Sequence, residues 1–340
     1  MEKSKKTYII AEAGVNHNGD ISIAKKLIEE AKKAGADCIK FQTFKAKQIV
    51  TQDSPKAAYQ LEVTDKNESQ FAMLKKLELD MSAYEDLVAY CQELDIDFLS
   101  TPYNKEDVDF LLKFDVSAFK IASGQLTELP FIKYVAKTNK RVILSTGMGT
   151  LADVYNAVEA VRSTGNNNLI VLQCTTNYPS KIEDSNILAM QTMRDACNVQ
   201  VGYSDHVANN YACFTAVALG AEVIEKHFTI DRNMEGPDHS SSLIPSEFKE
   251  LIEGIRNIEL ALGSSVKKPS EIEVKNSQGM KRGMVILEPI KKDTVLTEEV
   301  IGFKRPLKGI PINMLETVLG KKVAKDMKED ESLDFDCVIW

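Results

Sequence analysis

The feature that most constrains this chain is an alternation sustained from position 7 to about 262: a short apolar run, a polar loop, then a stretch with helical spacing. The apolar runs fall at 8–11, 38–41, 98–100, 118–121, 142–144, 169–172, 199–201 and 223–224. Helix-period segments occupy 21–34, 82–94, 105–113, 128–137, 151–162, 186–196, 208–219 and 246–262. Ser82 with Glu85 reads as a capping box, and Gly35 and Gly220 stand where helix C-caps belong. Eight alternations over ~255 residues suit an α/β chain closed into a (β/α)8 TIM barrel better than an open sheet. The second connection is unusually long. Positions 45–67 carry turn residues and charge before a helix at 68–77, which suggests a lid or a partner contact.

Beyond 262 the pattern breaks. Residues 266–282 read as a linker, so the chain divides into a barrel at 1–265 and a small β-rich unit at 283–340. At ~60 residues such a unit has a marginal core and is expected to pack on another surface. The net charge of −8 disfavours a general nucleic-acid surface, so any anion must be held by a few focused cations. No apolar run approaches the ~20 residues of a membrane span. The basic start, Lys3–Lys6, reads as a solvated tail, and the apolar run after it is too short for a signal peptide. Six scattered cysteines fit a reduced, cytoplasmic chain rather than a disulfide or zinc framework.

In a βα barrel the chemistry sits where the strands end. Val201–His206 and Ile224–Phe228 each end a β-branched run in charged residues, and a helix-period segment joins them. His206 and His227 therefore emerge at the same rim of neighbouring parallel strands, as one divalent-metal site would require. Lys40 and Lys120 close two other strands, and a lysine inside a parallel strand is costly unless it meets an anion. With the hydroxyls of Thr101, Ser123 and Ser204 nearby, they suit a phosphate or a phosphate-bearing acid. Glu12, at the first strand end, could be a general base or a ligand of sugar hydroxyls. Asp238 reads as a substrate contact, His17 as a residue satisfying its own turn, and the cysteines as packing residues.

Several motifs resemble the sialic acid synthases, which make nonulosonic acids. They are Ala11-Glu12-Ala13-Gly14-Val15-Asn16-His17-Asn18-Gly19, Lys40-Phe41-Gln42, Ser100-Thr101-Pro102 and Ser145-Thr146-Gly147-Met148. Gly202-Tyr203-Ser204-Asp205-His206, Glu225-Lys226-His227-Phe228, Gly236-Pro237-Asp238-His239 and Lys304-Arg305-Pro306 complete the set. The resemblance covers essentially the whole chain, and the small unit looks like the family's antifreeze-like (SAF) domain. It implies condensation of phosphoenolpyruvate with N-acetylmannosamine or its 2,4-diacetamido-2,4,6-trideoxy analogue, with release of phosphate. It further implies phosphoenolpyruvate ligands at Lys40, Gln42, Thr101, Lys120, Ser123, Thr176 and Ser204, and a Mn2+ or Mg2+ ion on His206 and His227. Sugar contacts would be Glu12, Gln125, Tyr178 and Asp238, with Arg305 supplied by the partner in a domain-swapped homodimer. Thr176 stands where some members carry asparagine, and Gln125 where members usually carry a carboxylate, which leaves the sugar open. Glu12, His206 and His227 are the expected catalytic residues. Two other readings are a phosphoenolpyruvate synthase acting on a phosphorylated sugar, and a non-catalytic carbohydrate-binding protein.

Overall fold

In the computed structural model the described residues are 6–340, so most of the basic run at the start lies outside them. They divide into two units, one ending at Gly263 and one spanning Ser264–Trp340. The first is the expected barrel. Its strands are β1 (Tyr8–Gly14), β2 (Cys38–Thr43), β3 (Asp97–Pro102), β4 (Ala118–Ile121), β5 (Arg141–Ser145), β6 (Leu169–Cys174), β7 (Gln200–Asp205) and β8 (Val223–His227). They pair in parallel in the order β3-β2-β1-β8-β7-β6-β5-β4, with β3 and β4 side by side at the seam but sharing no ladder. No described helix is long and apolar enough to cross a membrane.

Alternation along each strand divides the barrel into two environments. One face of the strands (Ile9, Ala11, Ile39, Phe41, Phe119, Ile121, Val142, Leu144) packs under the helices. The other face points inward. Its lower layer is apolar and built from Ile10, Cys38, Leu99, Ala118, Ile143, Ile170 and Val223. Two residues further along the same strands stand Glu12, Lys40, Thr101, Lys120, Ser145 and Glu225. The fold thus places a greasy plug beneath a polar upper layer, and the strand period alone puts charge there. Gly202 permits this packing, because a Cβ there would lie 2.4 Å from the Val223 carbonyl oxygen.

Local signals were met with two revisions. Helices at Ile21–Ala34 and Leu151–Arg162 occupy their expected positions, and Gly35 caps the first in the left-handed region. The helix Ala83–Glu93 is not opened by a capping box. Asp80 takes that task, its Oδ1 accepting from both the backbone and hydroxyl of Ser82 at 2.9 Å. The long second connection is also more ordered than turn residues suggest. It contains the helices Ala46–Ile49, Ala58–Val63 and Gln70–Lys76. Buried Lys56 staples it, donating to Thr64 Oγ1 at 2.9 Å and the Asp65 carbonyl at 2.7 Å.

The small unit has its own core of Met284, Ile286, Leu296, Ile301, Ile310, Val318, Val323 and Leu333. Two antiparallel pairs frame it, β9 (Gly283–Ile286) with β10 (Ile301–Lys304) and β11 (Lys322–Val323) with β12 (Val338–Ile339). A single antiparallel bridge between Val295 and Lys322 adds to them. Within the segment read as a linker, Glu271–Met280 forms a helix capped by Ser270.

Candidate active site

A cavity of about 290 Å³ opens at the C-terminal rim of the barrel. Its floor is a buried cluster of ions. Lys40 Nζ lies 2.9 Å from Glu12 and 3.1 Å from Glu225, and Lys120 Nζ lies 3.3 Å from Glu225. Ser204 donates to Glu225 at 2.9 Å. Glu225 therefore bridges both lysines, and burial's tendency to raise its pKa is outweighed by them, so it is held well below the usual carboxylate range. Glu12 differs. Burial pushes it up to about 7, with Lys40 pulling down and Glu225 pushing up. The cluster thus sets two lysines against one carboxylate held ionised and one raised toward neutral pH, although burial, ahead of the opposing pull of Glu225, lowers Lys120 from the usual lysine range. That balance favours an anionic ligand.

Two hydroxyl donors around it have found no partner within the protein. The hydroxyls of Ser145 and Thr176 are buried without a hydrogen bond. Gly147 donates its N–H to Ser123 Oγ at 3.0 Å, and a Cβ on Gly147 would lie 2.2 Å from Thr176 Oγ1. Ser123, Ser145 and Thr176 thus form a tight hydroxyl cradle beside Lys120, suited to the oxygens of a phosphate. Gln42 reaches Glu12 at 3.4 Å and is itself held by the Tyr103 hydroxyl at 3.2 Å.

On the neighbouring strands the imidazoles of His206 and His227 stand 5.3 Å apart between ring centroids. His206 Nδ1 lies 2.6 Å from the Thr175 carbonyl oxygen. A carbonyl only accepts, so Nδ1 carries a proton, and Nε2 is the nitrogen that the neutral ring would offer to a ligand. His227 Nδ1 is buried with no hydrogen-bond partner, and burial followed by the charge of His206 keeps that ring neutral. Two imidazoles on neighbouring strands, one of them with a buried Nδ1 that has no hydrogen-bond partner, form a donor set that fits a divalent cation. Tyr178 packs against both rings, at 4.0 and 5.4 Å.

Glu12, Lys40, Gln42, Thr101, Lys120, Ser123, Thr176, Tyr178, Ser204, His206, His227 and Asp238 all line this one cavity. Two expected residues do not. Gln125 is buried behind the wall, donating to the Tyr103 carbonyl at 3.1 Å, so it supports a lining residue rather than lining the cavity itself. Arg305 belongs to the small unit, where it borders a separate cavity with Lys281 and Arg282. Sequence reasoning left Glu225, Cys174, Tyr59 and Tyr103 without a role at the site, although all four line it. For Glu225 a signal existed, since it shares the inward face of β8 with His227. Lys226 faces outward and is neutralised by Asp205 at 2.5 Å.

The loops after β1 and β8 are tied behind the site by the other two histidines. His17, fully buried, accepts from the Gly19 N–H at 3.0 Å, while His239 bonds Thr229 at 2.6 Å and Asn18 at 3.2 Å. Burial lowers both imidazoles to about 4. A histidine depressed in the folded state takes up protons preferentially when unfolded. Stability is therefore intact above about pH 6.5 and falls toward pH 4, by roughly 3 kcal/mol for His17. Urea midpoints between pH 7.5 and 4.5 measure this. His17→Gln, which keeps an acceptor, is expected to flatten the slope, and an unaltered slope would contradict the assignment.

Comparison with known proteins agrees with this geometry. A family model described as NeuB family matches residues 27–267, and one described as SAF domain matches residues 281–339. The chain is 47% identical over 329 residues to the N,N'-diacetyllegionaminic acid synthase of Campylobacter jejuni, covering 96% of this chain and 98% of that one. It is 34% identical to the N-acetylneuraminate-9-phosphate synthase of Mus musculus, covering 96% and 91%. Among solved structures, the N-acetylneuraminic acid synthetase of Leptospira borgpetersenii superposes with a TM-score of 0.71 at 31% identity, over 80% of this chain and 90% of that one. With most of the barrel matched by one family model and the small unit by the other, the chain belongs to the NeuB family and carries a SAF domain.

Proposed function

We infer that this chain is a nonulosonic acid synthase that joins phosphoenolpyruvate to an open-chain N-acylated amino sugar of the mannosamine type. The single observation that carries the reading is the Lys40–Glu225–Lys120 bridge lying within the same cavity as the His206–His227 pair. Lys40 and Lys120 would receive the carboxylate and phosphate of phosphoenolpyruvate, with Gln42, Thr101, Ser123, Thr176 and Ser204 supplying hydrogen bonds. His206 and His227 would hold a Mn2+ or Mg2+ ion. When bound, such an ion supplies Lewis acidity toward the sugar's aldehyde oxygen.

C3 of phosphoenolpyruvate then bonds to the aldehyde carbon, whose oxygen takes up a proton. Water adds at C2, the C2–O bond to phosphate breaks, and inorganic phosphate leaves. Glu12, poised near pH 7, is suited to take a proton from that water or to hold a sugar hydroxyl. Tyr178 and Asp238 complete the sugar side, and Gln125 would act through Tyr103.

A swapped homodimer is part of the same reading. Arg305 with Lys281 and Arg282 makes a cationic surface that suits an acidic partner surface. A cytoplasmic setting accords with six unpaired cysteines, all buried. The rival substrate, a phosphorylated sugar, needs a further cation; the described lining residues of this chain offer only Lys40 and Lys120, so in the swapped dimer the partner's Arg305 would have to serve it. Phosphate release from phosphoenolpyruvate decides. It is expected with Mn2+ and an unphosphorylated amino sugar, whereas release only with a sugar phosphate would overturn the assignment.

A further inference from the structure

Behind the barrel wall, outside the two imidazoles, lies a second buried ion pair. Lys226 and Asp205 are each 1% exposed and lie 2.5 Å apart. Each stands one residue before a histidine, so the two-residue strand period turns the pair outward while His206 and His227 face the cavity. The pair is densely bonded. Lys226 spends its three donors on Asp205 Oδ2 at 2.5 Å, the Val207 carbonyl at 2.5 Å and the Asn209 carbonyl at 2.8 Å. Asp205 also accepts from the Tyr203 hydroxyl at 3.0 Å, the Val207 N–H at 3.0 Å and the Cys213 thiol at 3.1 Å.

Asp205 and Lys226 form the last rung of the β7–β8 ladder. Beyond it the two histidines are bonded to different neighbours. The His206 carbonyl accepts from the Ser180 N–H at 2.8 Å, on the loop after β6. His227 pairs with Glu12 of β1, and its carbonyl accepts from the Leu243 N–H at 2.9 Å. The Lys226 side chain crosses back to Val207 and Asn209, so it links the stretch just after one histidine to the strand that carries the other. A buried ion pair is a poor source of stability, since an apolar pair of similar volume often does as well. What an ammonium adds is direction. It gathers a carboxylate and two carbonyls at one point, and so fixes the path of the chain from Asp205 to Asn209.

We propose that Lys226, held by Asp205, is a positioning residue that sets the spacing of the His206 and His227 imidazoles, and with it the affinity of the pair for a divalent cation. This rests on the metal assigned to those histidines above. Neither Lys226 nor Asp205 lines the cavity, so both act through the backbone that carries the ligands. Supporting contacts outside a metal's own ligands contribute about 10- to 100-fold in affinity.

Titration of the metal-stripped full chain with Mn2+, followed by the paramagnetic resonance of the free ion, tests this. Lys226→Met is expected to raise the Kd for Mn2+ about 10- to 100-fold. Turnover should fall at limiting Mn2+ and largely recover once the ion exceeds the new Kd, with the KM for phosphoenolpyruvate held within about twofold. Leu251→Ala gives the contrast, since Leu251 is fully buried in the helix Pro245–Leu262. It is expected to lower the urea midpoint without moving the Kd. Should Lys226→Met fail to fold, Asp205→Asn combined with Lys226→Met decides, because it removes the tie without leaving a buried charge unpaired; the same rise in Kd is expected. A wild-type Kd in whichever variant folds, or equal weakening in Leu251→Ala, would overturn the positioning role alone. A wild-type protein without saturable Mn2+ binding would overturn the metal assignment, and the positioning role with it.

Discussion

Replacing Lys40 with methionine is expected to remove about 3–5 kcal/mol of stability at pH 8 and about 10³-fold in kcat/KM for phosphoenolpyruvate. Lys40 is 3% exposed and touches both Glu12 and Glu225, so its loss leaves two buried carboxylates against a single cation, Lys120. The stability deficit carries a pH signature. Without the ammonium, Glu12 rises further above its ordinary range. A carboxyl raised in the folded state contributes stability that is complete below the unfolded pKa and lost as pH climbs through the folded one. The deficit should therefore be smaller at pH 5.5 than at pH 8. Lys120→Met gives the contrast. It removes only the contact to Glu225, which Lys40 still neutralises, so substrate use should fall comparably while stability falls less. Urea unfolding at the two pH values, together with initial rates, measures both. A Lys40→Met protein equally destabilised at pH 5.5 and 8 would contradict the shared-ion account.

His227→Ala is expected to lower kcat by about 10³-fold or more, the scale of charge stabilisation a Lewis acid provides, and to abolish saturable Mn2+ binding. This position gives a cleaner test than His206. His227 Nδ1 has no hydrogen-bond partner, whereas His206→Ala also breaks the bond to the Thr175 carbonyl. Titration of the metal-stripped protein with Mn2+ provides a readout independent of turnover. Retained binding with lost activity would move His227 from metal ligand to proton donor, and retained activity after stripping would remove the metal from the reading.

The barrel was legible because its signals are local and repeated. Eight apolar runs with helical segments between them have few other compact solutions, and strands β1 to β8 form where those runs lie. The rim residues were legible for the same reason, since a charged residue closing a buried strand must meet a partner. Less legible was which partner. Asp205 and Lys226 looked as ready to meet a ligand as His206 and His227 in one dimension, but they face outward and neutralise each other. The strand's two-residue period separates them once the register is known. Gln125 and Tyr103 show the complementary limit. Their places, behind the cavity wall and on it, depend on how a turn after β4 packs against the end of β3.

The alternation of strand and helix, and the gathering of Lys40, Lys120, Glu12 and the histidines at the strand ends, follow from periodicity and the cost of unpaired buried charge, which a linear pattern carries. Packing in three dimensions settled that Glu225 bridges both lysines, that burial raises Glu12 to about 7, and that a segment rich in turn residues walls part of the cavity. Those outcomes depend on distances of a few ångströms between residues far apart in the chain. Burial and Coulomb interaction change steeply over such distances, and a linear pattern does not contain them.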